Sequence, residues 1–277
     1  MKKFFALLAT PALLLSACAG QSAQSPSETA SVGTVRVGLE GVYPPYSFHD
    51  DSNTLAGFET DIARQLVEDM GEEPQYVETE WDSLIAGLDV DRYDMVINNI
   101  GVTKERQERY DLTIPYMYST PQLVVPEDSD IKAISDLPGH TCASTPTSNF
   151  GKAIQENGGK ILPASGFNDT VELVQQGRAD CLANDAITLG YYMTQHPEAK
   201  LRMIPFEQDT AAASAIMVKK GNTELLNALN EGIRTGLKDG SIKAAVAKYV
   251  GEEAAAQVVD PAAKNADSAS KSTSANE

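Results

Sequence analysis

Few side chains in this 277-residue chain are equipped to move protons at neutral pH. Histidine is the residue type whose ordinary titration falls there, and only His49, His140 and His196 occur. None stands in a Ser/His/Asp, HExxH or paired-carboxylate setting, which argues against an enzyme. His140 and Cys142 are spaced to share a strand face, yet one histidine and one cysteine fall short of a metal site, so neither metal nor cofactor is expected. The remaining candidates are binders. Arg106 carries a planar fork of N–H donors suited to a carboxylate, although within Lys104-Glu105-Arg106-Gln107-Glu108-Arg109 composition alone reads it as a solvated charge. Asp185, in Ala183-Asn184-Asp185-Ala186, stands where a strand gives way to a helix and reads as an N-cap. Tyr43 and Trp81 each have an ordinary core reading.

The charge balance excludes one class of partner. With 39 acidic against 22 basic side chains the formal charge is -17, and phosphate binding needs a basic face, so nucleic acid is not expected. At the start, Met1-Lys2-Lys3, an apolar run from Phe4 to Leu15, and Ser16-Ala17-Cys18 read as an export signal over residues 1–17. Leu15-Ser16-Ala17-Cys18 resembles the lipobox of bacterial lipoproteins, which implies a lipidated Cys18 at the mature N-terminus, with an ordinary secretory signal as the alternative. Residues 18–33 are small and polar and read as a flexible tether; residues 253–277, rich in Ala, Ser and Asn, read as a disordered tail. With Cys18 acylated, Cys142 and Cys181 remain as an even pair in an oxidising compartment. A disulfide between them is expected, with two buried free thiols as the alternative.

The elements that must position these residues alternate between strand and helix signals, an α/β pattern with largely parallel sheets. Val35–Leu39 is the first strand. Phe58–Met70 reads as a helix with Ile62, Leu66 and Met70 on one face and Gly71 as its stop. Gln75–Thr79 reads as a strand, Trp81–Leu88 as a short helix, Asp94–Asn98 as a buried strand and Lys104–Tyr110 as a helix. A second series has strands near Thr141, Ile161 and Leu182 and helices starting near Ser148, Asn168 and Asp185, before two closing helices, Thr223–Leu237 and Ile242–Tyr249. The extended apolar runs 122–125 and 215–218 read as two crossings between halves.

Val37-Gly38-Leu39-Glu40-Gly41-Val42-Tyr43-Pro44-Pro45-Tyr46-Ser47-Phe48, Gly57-Phe58-Glu59-Thr60-Asp61-Ile62, Trp81-Asp82-Ser83-Leu84-Ile85 and Asp94-Met95-Val96-Ile97-Asn98-Asn99 occur in order, followed by Gly101-Val102-Thr103-Lys104-Glu105-Arg106-Gln107 and Tyr110-Asp111-Leu112-Thr113-Ile114-Pro115-Tyr116. This series resembles solute-binding protein family 3, the polar-amino-acid receptors of ABC importers, and looks most like their cystine-binding branch. The resemblance covers nearly all of residues 34–250. It implies a type II periplasmic-binding-protein-like fold: lobe 1 from 34–121 and 219–252, lobe 2 from 126–214, and hinge strands at 122–125 and 215–218, with the ligand trapped on closure. It also implies a monomer that meets an ABC permease and touches the membrane through its lipid anchor only.

The resemblance assigns roles to individual residues. Arg106 grips the ligand's carboxylate, helped by backbone donors at Gly101 and Thr103 ahead of its helix. Asp185 receives the ammonium, Tyr43 and Trp81 line the cleft, and Asn99 lies among the binding residues. Glu40 reaches the far end of the ligand, which favours an amide, hydroxyl, ammonium or second zwitterionic head and counts against glutamate and aspartate. Cystine is favoured, with a glutamine- or glutamate-type ligand as the alternative and a dehydratase on the same scaffold as the rival of another class. In the second lobe the family's Gly-Thr or Ser-Thr pair is replaced by Ser144-Thr145-Pro146-Thr147-Ser148-Asn149; Pro146 has no N–H to give, which leaves Thr145 and Thr147 as donors. Because Trp81 is the single tryptophan, intrinsic fluorescence is expected to change when the correct amino acid is added, and silence across all twenty plus cystine would remove Trp81 from the cleft.

Overall fold

The protein is described here by a computed structural model covering residues 33–206 and 213–255. The signal, Cys18, the tether and everything beyond residue 255 lie outside the described residues. β1 (Thr34–Leu39) is followed by β2 (Val42–Tyr43), β3 (Ser47–His49) and β4 (Leu55–Ala56), which pair as a small antiparallel meander. Then come α1 (Phe58–Asp69), β5 (Glu73–Glu78), α2 (Trp81–Leu84), α3 (Ala86–Asp89), β6 (Met95–Val96), α4 (Lys104–Arg109) and β7 (Tyr110–Leu112). β8 (Met117–Tyr118) leads out to β9 (Pro121–Pro126) and a second series: β10 (Thr141–Ser144), α5 (Asn149–Glu156), β11 (Lys160–Pro163), α6 (Phe167–Gln175), β12 (Cys181–Asp185), α7 (Ala186–Gln195) and β13 (Leu201–Pro205). The return runs through β14 (Ala213–Ser214) to β15 (Met217–Lys219), α8 (Thr223–Asp239) and α9 (Ser241–Ala255).

The core follows from periodicity. In α1, Phe58, Ile62, Ala63, Leu66 and Val67 recur at helical spacing and are buried. Gly57 precedes the helix at φ 122°, where a Cβ would come within 2.1 Å of the Tyr46 carbonyl oxygen, so only glycine fits. In the first sheet Met95, Ile97, Ile216 and Val218 pack with α1 and the closing helices, while the intervening Val96 and Met217 pack with Trp81, Leu84, Tyr93 and Tyr110. That alternation is the strand's period of two. The expected single helix over 81–88 is broken into α2 and α3 at Ile85, and the described chain continues as helix to Ala255, with a bend at Gly251.

The α/β class holds, and the sheets are mixed. The first has the order β5-β1-β6-β15-β7 and the second β11-β10-β12-β9-β13. In each, one strand runs against its neighbours: β15 against β6 and β7, and β9 against β12 and β13. The runs 122–125 and 215–218 therefore fall largely inside the two sheets. Between the sheets the chain passes twice, through β8 and β14, which pair antiparallel at Met117↔Ser214 and Tyr118↔Ala213. An extended apolar run reads the same whether it crosses between sheets or completes one. Among the described residues no helix is long and apolar enough to cross a membrane.

Cys142 and Cys181 form a disulfide. β10 and β12 are adjacent parallel strands whose register sets the two residues side by side, with Cα atoms 4.4 Å apart. The bridge lies in the apolar layer of Leu123, Val125, Ile154 and Ile204. A covalent tie between residues 39 apart in sequence restricts the unfolded chain by about 4 kcal/mol on a loop-entropy basis. Denatured, unreduced protein is therefore expected to alkylate at neither Cys142 nor Cys181, and the Cys142→Ala/Cys181→Ala pair should lower unfolding free energy by about 2–4 kcal/mol in a urea titration.

Candidate functional site

The residues with candidate chemistry gather where the ends of β1, β6 and β12 meet the loops before α2, α4 and α5. Thr103 caps α4, its hydroxyl accepting from the Arg106 backbone N–H at 3.2 Å. This sets the Arg106 side chain back over its own turn, where Nη1 donates to the Gly101 carbonyl at 2.8 Å and the guanidinium lies 5.4 Å over the Trp81 ring. Arg106 is 8% exposed, and burial pushes its pKa down to about 10. It stays charged at neutral pH. No carboxylate within salt-bridge distance neutralises it among the described residues, so a buried cation is held by one carbonyl and one aromatic face.

Carboxylates collect on the other side. Asp185 caps α7, with Oδ1 accepting from the Ile187 and Thr188 backbone N–H groups at 2.9 and 3.2 Å. The same carboxylate accepts from Tyr46 Oη at 2.7 Å, Ser119 Oγ at 3.1 Å, Thr188 Oγ1 at 2.5 Å and Asn99 Nδ2 at 2.8 Å, with Tyr43 Oη at 3.4 Å. It is 3% exposed. Asn99, at φ 49°, also takes a hydrogen bond from Ser214 on β14 and donates its backbone N–H to buried Glu59, which accepts from Tyr116 as well. Glu40 is paired with Asn98: the Glu40 N–H donates to Asn98 Oδ1 at 2.9 Å, and Asn98 Nδ2 donates to Glu40 Oε2 at 2.6 Å.

Two adjoining cavities border these groups. Glu40, Tyr43, Asn98, Asn99, Thr145 and Phe167 are among the walls of one, about 60 Å³ in volume. Thr103, Arg106, Asp82, Pro146, Thr147 and Lys152 are among the walls of the other, about 530 Å³. Trp81, Ser148 and Asn149 stand between, belonging to both. Asp185 and Gly101 line neither: Asp185 is enclosed by its donors, and the Gly101 carbonyl is occupied by Arg106 while its backbone bridges to Ser214. The two halves touch directly, through Tyr43 Oη to Asn184 Oδ1 at 2.8 Å, Thr147 Oγ1 to Asp82 Oδ1 at 2.9 Å, and Lys152 Nζ to Glu105 at 3.7 Å. The cleft is therefore drawn shut.

Sequence reasoning passed over Tyr46, Glu59, Asn98, Tyr116, Ser119 and Thr188. Tyr46 and Glu59 lie inside quoted motifs, and a carboxyl at the second residue of an apolar helix was the available signal for Glu59. Ser119 meets Asp185 only through tertiary contact and nothing local marks it, whereas Thr188 stands three residues after Asp185 in the helix that Asp185 caps, a spacing that was readable.

Comparison with known proteins places the chain. A model of the family described as bacterial extracellular solute-binding proteins, family 3, matches residues 35–252. A probable amino-acid ABC transporter-binding protein of Haemophilus influenzae is 35% identical, the match covering 88% of this chain and 95% of the relative. The L-cystine-binding protein TcyA of Bacillus subtilis is 30% identical over 80% of this chain and 82% of its own length. A solved structure of an ancestral arginine-binding protein bound to glutamine superposes with a TM-score of 0.74 at 29% identity, covering 79% of this chain and 99% of that one.

Two of the enclosed carboxyls have values far from the ordinary. Desolvation pushes Glu40 up to about 7 and Glu59 up to about 8, against a usual 4.5. Both hold their proton more tightly in the folded chain than in the unfolded one, so folding takes up protons above the unfolded value. Stability is then greatest below about pH 4.5 as far as these two groups are concerned, and declines as pH rises from there to about 8. Thermal melts across pH 5–8.5 are expected to fall through this window, and Glu59→Gln should flatten the upper part of the slope; an unchanged slope in that variant would assign the titration elsewhere.

Proposed function

The chain belongs to the bacterial extracellular solute-binding proteins of family 3, and we propose that it captures a polar amino acid outside the cytoplasmic membrane, with L-cystine favoured, and hands it to an ABC permease. Arg106 carries this reading. A cation only 8% exposed, given no carboxylate partner among the described residues and bordering a cavity of about 530 Å³, is stabilised by an anion arriving from outside. A free amino acid brings that anion as its carboxylate, and the guanidinium fork suits its two oxygens.

The ammonium end meets the carboxylates. For Asp185 to receive it, one of its present contacts must yield, and Tyr43 Oη, at 3.4 Å the longest of them and with its one hydrogen nearer Asn184 Oδ1 at 2.8 Å, belongs to a residue that borders the smaller cavity. Glu40, paired to Asn98, faces the distal part of the ligand and favours an ammonium, amide or second zwitterionic head over an acidic side chain. L-cystine has two zwitterionic heads, and the Bacillus subtilis relative is named for it. Thr103, Thr145 and Thr147 supply further polar contacts on both sides of Trp81.

Lobe 1 is residues 34–121 and 219–252, lobe 2 is 126–214, and Cys18 carries the lipid that keeps the monomer at the membrane. Delivery would follow from closure, since the permease can then distinguish a shut receptor from an open one.

A thermal-shift panel of the twenty amino acids plus L-cystine is expected to single out one binder, because a ligand at 100 times its Kd stabilises the folded chain by about 2.7 kcal/mol. Calorimetry on Arg106→Ala should give at least about 100-fold weaker affinity with an unchanged melting temperature in the absence of ligand. Near-parental affinity would remove Arg106 from the site.

A further inference from the structure

Among the described residues Trp81 carries a donor with nothing to donate to: its Nε1–H is buried and lacks a hydrogen-bond partner there. Buried donors are paired as a rule, and an exception calls for a physical reason. The ring cannot readily turn to find an acceptor within the fold. Trp81 is the first residue of α2 and is packed with Leu84, Leu88, Val96 and Met217 in the layer beneath the first sheet.

Its surroundings explain what the donor waits for. Trp81 borders both cavities and is 9% exposed. The Arg106 guanidinium lies over the same ring and has spent Nη1 on the Gly101 carbonyl. Two hydrogen-bond donors, one cationic and one neutral, thus stand together at one cavity wall, and neither has an acidic partner among the described residues. A wall needed only for stacking against a ligand would be served equally by phenylalanine, without an orphaned N–H.

We propose that the Trp81 indole N–H donates a hydrogen bond to an oxygen of the bound amino acid, a carboxylate or carbonyl oxygen, and so acts beside Arg106 in choosing the ligand. The proposal rests on the amino-acid reading of the cleft. It makes Trp81 a specificity residue: a ligand that leaves the indole unpaired keeps the burial penalty, and one that supplies the oxygen removes it.

A single tryptophan makes the test direct. In protein labelled with ¹⁵N-tryptophan the one indole Nε1–H resonance is followed while the tightest binder from the twenty amino acids plus L-cystine is added. The expected result is a downfield move with slowed solvent exchange, together with a roughly 10- to 100-fold loss of affinity in Trp81→Phe whose melting temperature without ligand matches the parent. Saturation by the binder with an unmoved, freely exchanging indole proton overturns the hydrogen bond and leaves the amino-acid reading standing. No binding by any member of the panel overturns that reading and the proposal with it.

Discussion

A buried guanidinium with no counter-ion among the described residues is the constraint around which the cleft is arranged. Taking such a charge out of water is costly unless other groups replace the water, and among those residues Arg106 receives the Gly101 carbonyl and the face of Trp81. The acidic side chains of the cleft are held by partners of their own: Asn98 for Glu40, Tyr116 and Asn99 for Glu59, and a ring of hydroxyls and amides for Asp185. Burial keeps Glu59 protonated at neutral pH, and among the described residues Arg106 makes no ion pair with any of the three. A molecule carrying both signs completes what the chain leaves incomplete.

The Asp185 network gives the closed arrangement its own support. Tyr43, Tyr46 and Asn99 come from the first half of the chain, Asp185 and Thr188 from the second, and Ser214 from the return strand. Hydrogen bonds to a charged acceptor are the stronger kind. The two halves thus already engage through Tyr46, Ser119 and Thr188 around Asp185, and ligand binding adds to a contact already present.

Much of this was legible in the sequence. Alternating strand and helix signals gave the α/β class, and the pairing of Cys142 with Cys181 followed from an even count in an exported chain. Arg106, Glu40, Tyr43, Asn99 and Trp81 were each singled out by the motif in which they stand. The placement of Asp185 at a strand end, capping a helix, was readable from Asn184-Asp185-Ala186; its enclosure was not, because Tyr46 and Ser119 are 139 and 66 residues away. The extended runs 122–125 and 215–218 read alike as crossings or as sheet strands for a related reason: hydrophobicity registers burial and is blind to which sheet does the burying. Likewise the division of labour between two cavities, with Trp81 as their shared wall, depends on where a ring points, which spacing does not record.

The order of strands has a consequence for the way such a chain must be made. β15, from Met217–Lys219, lies between β6 and β7, strands that precede it by more than a hundred residues. Until the chain has passed through the whole second lobe and come back, β6 and β7 have no neighbour to join them, and each presents an open edge. The second lobe has no such debt, since β9 precedes the strands it pairs with. When the chain emerges in sequence order, the second-lobe sheet can therefore be finished first, and the lobe begun earliest is the one completed last. Between those two moments its sheet edges depend on chaperones or on speed to avoid pairing with another chain.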